Sequence, residues 1–266
     1  MTFSKRKIDL STIGGILVAL LGIGYGLILD GGRISQVIQP TAALIVFGGT
    51  LGAVMVQFPL KVVFQALVHL KDVFLNSRND SDEFVKNLLR FAYKARKEGL
   101  LSLDDELSKI QDPFLKESLM LAVDGVNADD LRGMMELQLD YRNEKDEGIP
   151  KVFEAAAGFA PTIGILGAVL GLIQVMQKLQ DINEVGKGIA VAFVATIYGV
   201  GSANLLFLPW AGKLRTRIRD RQVQQEMTLE AVVAIIEGVN PRALEMQLNR
   251  YLNLAPKEGL KKVASR

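Results

Sequence analysis

Few side chains in this 266-residue chain could carry covalent or metal chemistry. It has no cysteine and a single histidine, His69, which removes thiolate nucleophiles, disulfides and thiolate metal sites and leaves one imidazole without an evident partner. Gly22-Ile23-Gly24-Tyr25-Gly26 lacks the third-glycine spacing and the strand context of a nucleotide-binding loop, and no P-loop or G-x-S-x-G motif occurs. The remaining candidates are ionisable, and they are segregated. Residues 10–29, 34–58, 155–177 and 188–212 contain no Lys, Arg, Asp, Glu or His, so all sixty Lys, Arg, Asp and Glu residues lie elsewhere. A carboxylate inside such a stretch would be the default sign of an ion relay, because burying it is costly. This chain has none, so ion transport along it needs a titratable group from another chain. Polar groups inside the stretches are limited to hydroxyls and amides such as Thr196, Ser202 and Asn204, which could bond across helices or line a wet path. Pro161 and Pro209 free backbone carbonyls and allow bends.

The elements that must hold these residues follow from the same segregation. The chain is 49% hydrophobic yet 23% charged, and each charge-free run is long enough to cross a hydrocarbon core of roughly 30 Å as a helix. The first run follows Lys5, Arg6 and Lys7 like a signal peptide, but it is too long and lacks a small-residue cleavage pattern near Asp30, so it reads as a retained span. Basic flanks before the first run and after the fourth, from Lys213 through Arg221, place both termini in the cytoplasm. The expected fold class is an all-α integral membrane protein with four transmembrane helices and a large helical cytoplasmic domain. Residues 1–58 form the N-terminus and first two spans, 59–154 the cytoplasmic domain, 155–212 spans three and four, and 213–266 the cytoplasmic C-terminal part. Residues 30–33 and 178–187 are then the outer turn and loop.

Within 59–154, Asp80 with Glu83 reads as a capping box before the stripe Phe84, Val85, Leu88, Leu89, Ala92 and Tyr93, which ends near Gly99. Asp112-Pro113 starts a second helix that runs to Gly125, and Asn127 a third that reaches Glu147 before Gly148 and Pro150. Beyond span four one helix continues to Gly238, Asn240-Pro241 caps a last one to about Leu252, and the tail from Pro256 is polar. The two cytoplasmic parts differ in charge: residues 59–150 hold 13 basic and 18 acidic residues, net −5, and residues 213–266 hold 11 and 6, net +5. Gly22/Gly26, Gly48/Gly52 and Gly167/Gly171, each four apart, expose bare backbone for close helix approach.

The runs Ala160-Pro161-Thr162-Ile163-Gly164-Ile165-Leu166-Gly167-Ala168, Ala195-Thr196-Ile197-Tyr198-Gly199 and Ala95-Arg96-Lys97-Glu98-Gly99 through Asp104, with Pro209, resemble the MotA/PomA family, the A subunit of the bacterial flagellar stator. The resemblance implies a MotB-like partner that supplies the ion-carrying Asp, a homopentamer in a 5:2 complex with that partner, and the rotor protein FliG as the cytoplasmic contact. It implies residence in the bacterial inner membrane, no cofactor and no enzymatic reaction. It assigns channel lining or gating to Pro161, Thr162, Ala168, Ala195, Thr196, Tyr198 and Pro209, and rotor contact to Arg96, Lys97, Asp104 and Asp105. A further acid of some relatives falls on Leu107, with Glu106 beside it. Sodium-driven relatives carry threonine at the Ala168 position and a threonine pair at Ala195-Thr196, so two of three hydroxyls are missing and protons are favoured over sodium, although Tyr198-Gly199 resembles the sodium type. The alternative is an ExbB/TolQ-like energiser, whose members usually have three spans; a plain membrane scaffold is a further rival.

Overall fold

The computed structural model describes residues 7–76 and 81–254. Lys5, Arg6, Asp80 and the polar tail, on which part of the reading above falls, lie outside them. The described chain is helical apart from a two-residue antiparallel pairing of β1 (Lys7–Ile8) with β2 (Leu75–Asn76), in which Ile8 faces Leu75. Four helices are long and apolar enough to cross a membrane by length and composition: Leu10–Leu29, Ile34–Gln57, Ala128–Gln177 and Ile182–Ile236.

The chain divides into two compact units. One contains residues 7–76 and 146–216. In it α1 (Leu10–Leu29) starts at Asp9, whose carboxylate accepts from the backbone N–H groups of Ser11 and Thr12. It ends at Asp30 before Gly31, whose φ of 81° only glycine adopts without strain. The second apolar run comprises a 3₁₀ turn (Ile34–Val37), α2 (Pro40–Ala43), a π turn (Leu44–Gly48) and α3 (Gly49–Gln57). Helix α4 (Leu60–Phe74) follows Pro59 and packs Val63, Ala66 and Val73 into a core with Ile149, Val152, Phe153, Ala211 and Leu214.

The other unit contains the described parts of residues 77–145 and 217–266. Helix α5 (Ser81–Glu98) buries Val85, Leu88, Leu89 and Ala92 as the stripe predicts, but Tyr93 is exposed. Gly99, at φ 85°, turns the chain into a 3₁₀ turn (Leu100–Leu103) and α6 (Asp104–Leu107). Helix α7 (Pro113–Val123) has the expected cap, Asp112 accepting from the Phe114 and Leu115 N–H groups at 2.9 Å. Its core also takes Leu131, Met135, Met227, Val232, Leu244 and Leu248.

Two helices contribute to both units. Helix α8 spans Ala128–Gln177 without interruption, with Pro150 and Pro161 inside it. The expected stop at Gly148-Pro150 is therefore wrong. An interior proline costs about 3 kcal/mol, but Ile149, Val152 and Phe153 around it are at most 5% exposed, and burying one such side chain returns about 1.5–3 kcal/mol. Packing outweighs local propensity. Helix α9 (Ile182–Ser202) begins six residues before the charge-free run, because Asp181 caps it through the Asn183 N–H; only 178–181 remain as a turn. A π turn (Ala203–Phe207) then leads into α10 (Leu208–Ile236). Gly238 ends it at φ 71°, and the Asn240 side chain accepts from Arg242 N–H as α11 (Pro241–Leu254) begins.

Candidate functional site

The ends of the chain's longest apolar helices meet through small residues. A Cβ added to Gly164 would lie 2.8 Å from the Ala195 carbonyl oxygen and 3.2 Å from Gly199 Cα. One added to Gly171 would lie 2.9 Å from both Ala192 N and Gly188 O, and one on Gly167 2.9 Å from Ala195 Cβ. Ala160, Gly164, Gly167 and Gly171 thus recur on one face of α8 and lie against Gly188, Ala192, Ala195 and Gly199 of α9. The spacing of three and four residues places them in one stripe. Among the described residues, Gly167/Gly171 is the one expected glycine pair that packs against another helix. Among the described residues, nothing lies within 4 Å of a Cβ at Gly22, Gly26, Gly48 or Gly52.

This seam fixes where the expected channel residues stand. Ala195 is wholly buried in it, whereas Ala168 and Pro161 are partly buried and Thr162 is exposed. Thr162 donates its hydroxyl to Phe159 O at 2.8 Å and Thr196 to Ala192 O at 3.3 Å. Ser202 and Asn204 likewise donate to Gly199 O and Val200 O in their own helix. Of the two roles expected for Thr196, Ser202 and Asn204, bonding across helices is not what these bonds do: a membrane helix offers its own carbonyls one turn back, and short side chains take them first. Opposite the seam, Ile165, Leu166, Val169, Leu172, Ile173 and Met176 of α8 are exposed, as are Phe193 and Ile197 of α9.

Tyr198 is the channel candidate that bonds between elements. Its hydroxyl donates to Val37 O at 2.6 Å and accepts from Gln39 N at 3.2 Å, and its ring stacks on Phe47 at 6.1 Å. Pro209 stands elsewhere, in a groove of about 290 Å³ lined by Ser11, Thr12, Asn204, Trp210 and Lys213 among others.

In the other unit the expected contact charges do not form one cluster. Arg96 and Lys97 end α5 and line an open groove of about 440 Å³ with Tyr93, Asn240, Pro241 and Arg242. Asp104 and Asp105 are exposed in the first turn of α6 and are not part of that groove's lining. Leu107 is buried in the core, so no acid can project from its position. Glu106 instead gathers Lys94 at 3.1 Å, Lys109 at 3.3 Å and Arg90 at 3.6 Å. The hydrogen bonds from Lys94 and Lys109 hold its carboxyl below the usual carboxylate range.

Two features were missed in the sequence. Arg242 adds a third cation to the Arg96 groove from about 145 residues away along the chain, a proximity no local pattern encodes. Asp9, buried, forms an ion pair with Lys213. Its position one residue before the first apolar run, followed by Ser11 and Thr12, marks a helix cap and was the available signal.

Comparison with known proteins places the chain among a defined set. Residues 106–227 match the MotA/TolQ/ExbB proton channel family and residues 13–99 match the Motility protein A N-terminal family. Motility protein A of Helicobacter pylori is 35% identical over 92% of this chain and 95% of its own length. Motility protein A of Bacillus subtilis is 32% identical over 92% and 91%. The solved structure of C. jejuni MotAB superposes with a TM-score of 0.88 at 34% identity, covering 96% of this chain and 100% of that one.

Proposed function

Because this chain belongs to the motility protein A family of flagellar motor stator proteins, we propose that it is the A subunit of an ion-driven stator that exerts torque on the flagellar rotor. The observation that carries the reading is the absence of any Lys, Arg, Asp, Glu or His in all four apolar runs. A path for ions beside these helices needs a carboxylate it does not own. A MotB-like subunit supplies that Asp, and the solved C. jejuni relative is a complex of A and B proteins. The partner helix would lie along the exposed side of α8, where Ile165, Leu166 and Val169 face away from the glycine seam. Thr162, with its exposed hydroxyl oxygen, and Ala168 lie along the same apolar stretch.

The chain resides in the bacterial inner membrane with both termini and residues 59–154 in the cytoplasm, as a pentamer around two B subunits. Its rotor face uses Arg96, Lys97, Asp104 and Asp105 against FliG. Exposed charge pairs contribute about 0–1 kcal/mol each, which suits an interface that must engage and release at every step. The transported ion is the proton. A sodium cage requires several oxygen ligands, and Ala168 and Ala195 provide no side-chain oxygen. Ala195 is wholly buried in the seam against Gly164 and Gly167.

The test is plasmid rescue. Expression with its cognate B subunit in a strain lacking all stators restores swimming, and rotation speed follows external pH without a sodium requirement. Failure to rescue would sink the stator reading, and a sodium requirement would overturn the choice of ion. Rescue only of an envelope-energising defect would favour the ExbB/TolQ-like alternative.

A further inference from the structure

Asp9 stands where three elements converge. Its Oδ1 accepts from the Ser11 hydroxyl at 2.6 Å and from the Ser11 and Thr12 N–H groups at 3.1 and 3.3 Å, closing the first turn of α1. Its backbone N–H donates to Phe74 O at 2.8 Å, extending the β1–β2 pairing to the end of α4. Its Oδ2 is the partner of Lys213 on α10. The Asp9 carboxylate therefore ties α1 to α10, while its backbone N–H holds the same residue to the end of α4. Burial alone would raise its pKa, but the Lys213, Ser11 and Thr12 hydrogen bonds outweigh that and hold the group charged, well below the usual carboxylate range.

The place where this tie grips α10 gives it meaning. Lys213 lies one helical turn beyond Pro209, and the π turn Ala203–Phe207 lies just before it. A π turn and a proline are both recognised sites of a localised helix bend, and here they follow one another immediately upstream of Lys213. Just after Pro209, Trp210 is wedged against Phe74, Phe153 and Phe207 of the π turn, at centroid distances of 6.4, 5.9 and 5.9 Å. The helix ladder is thus irregular just before Pro209, and the segment after it is held by Trp210 and Lys213.

We propose that Asp9 and Lys213 are positioning residues for torque generation: their ion pair holds α10 against the start of α1 and so sets the pivot about which movement at the π turn and Pro209 is delivered into α10. This rests on the stator reading above. With the latch broken, α10 slides instead of pivoting, and ion passage turns the rotor with less force.

Asp9→Asn separates the roles of the residue, because asparagine caps a helix as well as aspartate does but carries no charge for Lys213. In the stator-free strain with the cognate B subunit, torque per incorporated stator unit is read from speed steps of a tethered bead, and complex yield from copurification. D9N and K213Q are expected to lower torque per unit by about two-fold or more at unchanged yield, with the double variant no worse than either single and K213R close to wild type. Wild-type torque in D9N, or a deficit that tracks loss of complex, would overturn the proposal. Should D9N fail to assemble, the contrast between K213Q and K213R decides, and equal impairment of the two would also overturn it. Failure of the wild-type chain itself to rescue rotation would condemn the stator reading, an outcome distinct from any of these.

Discussion

The hydroxyl of Tyr198 donates to the carbonyl of Val37 at 2.6 Å, across 161 positions of sequence, and accepts from Gln39 N–H beside it. Val37 ends the 3₁₀ turn and Gln39 precedes α2, so both backbone groups sit at element ends where a helix ladder runs out. Tyr198→Phe keeps the ring stack on Phe47 and removes both bonds. An unsatisfied backbone group costs about 1–3 kcal/mol, so thermal unfolding of the purified complex in detergent should shift measurably downward. An unchanged midpoint would show that water or lipid replaces the tyrosine.

The glycine seam allows a sharper contrast. Alanine at Gly199 would put its Cβ 2.5 Å from Ala160 O and 3.1 Å from Gly164 Cα, both backbone atoms that cannot rotate away. Overpacking of this kind costs about 1–3 kcal/mol. Gly22→Ala meets nothing within 4 Å and gains helix propensity. Protease resistance of the folded chain should therefore fall for G199A and hold or rise for G22A. If G22A instead disrupts only the assembled complex, the open face of α1 serves another chain.

The glutamate ringed by cations makes a pH-dependent prediction. Glu106, held below the usual carboxylate range by Lys94 and Lys109, binds fewer protons folded than unfolded as the pH falls through that range. Its stabilisation is present above the unfolded pKa, about 4.3, and is lost as acid reaches its lowered folded value. Melting curves taken from neutral pH downward should accordingly be flatter for Glu106→Gln than for wild type. The same variant should be less stable at neutral pH, since Arg90, Lys94 and Lys109 then face one another without a counter-charge.

Legibility followed the range of the interactions involved. The four apolar helices, the Asp112 cap and the glycine stops at 99, 125 and 238 are written in composition and short-range chemistry, and the structure has them. The continuity of α8 through Pro150 is not, because local propensity argues for a break and only the burial of Ile149, Val152 and Phe153 decides against it. Thr196 and Asn204 were legible as polar but not in their bonding, which their own helices capture. The Tyr198–Val37 bond, the Asp9–Lys213 pair and the approach of Arg242 to Arg96 join residues remote in sequence, and a single sequence holds no signal for such pairs.

The groove that collects Arg96, Lys97 and Arg242 makes the rotor reading quantitative. Three cations around one depression act on the same acidic ligand, so their potentials add there while each exposed pair contributes only about 0–1 kcal/mol. Reversal at one site should reduce swimming speed modestly, and reversal at two should reduce it far more. Arg242→Glu is expected to resemble Arg96→Glu, although the two residues belong to different helices, and Arg96→Glu/Arg242→Glu should nearly abolish rotation with copurification of the B subunit intact. Lys116→Glu, on the exposed side of α7 and away from that groove, controls for net charge and should swim normally. A double variant that swims like wild type would reduce the groove to a solvated surface and leave Asp104 and Asp105 to carry the contact.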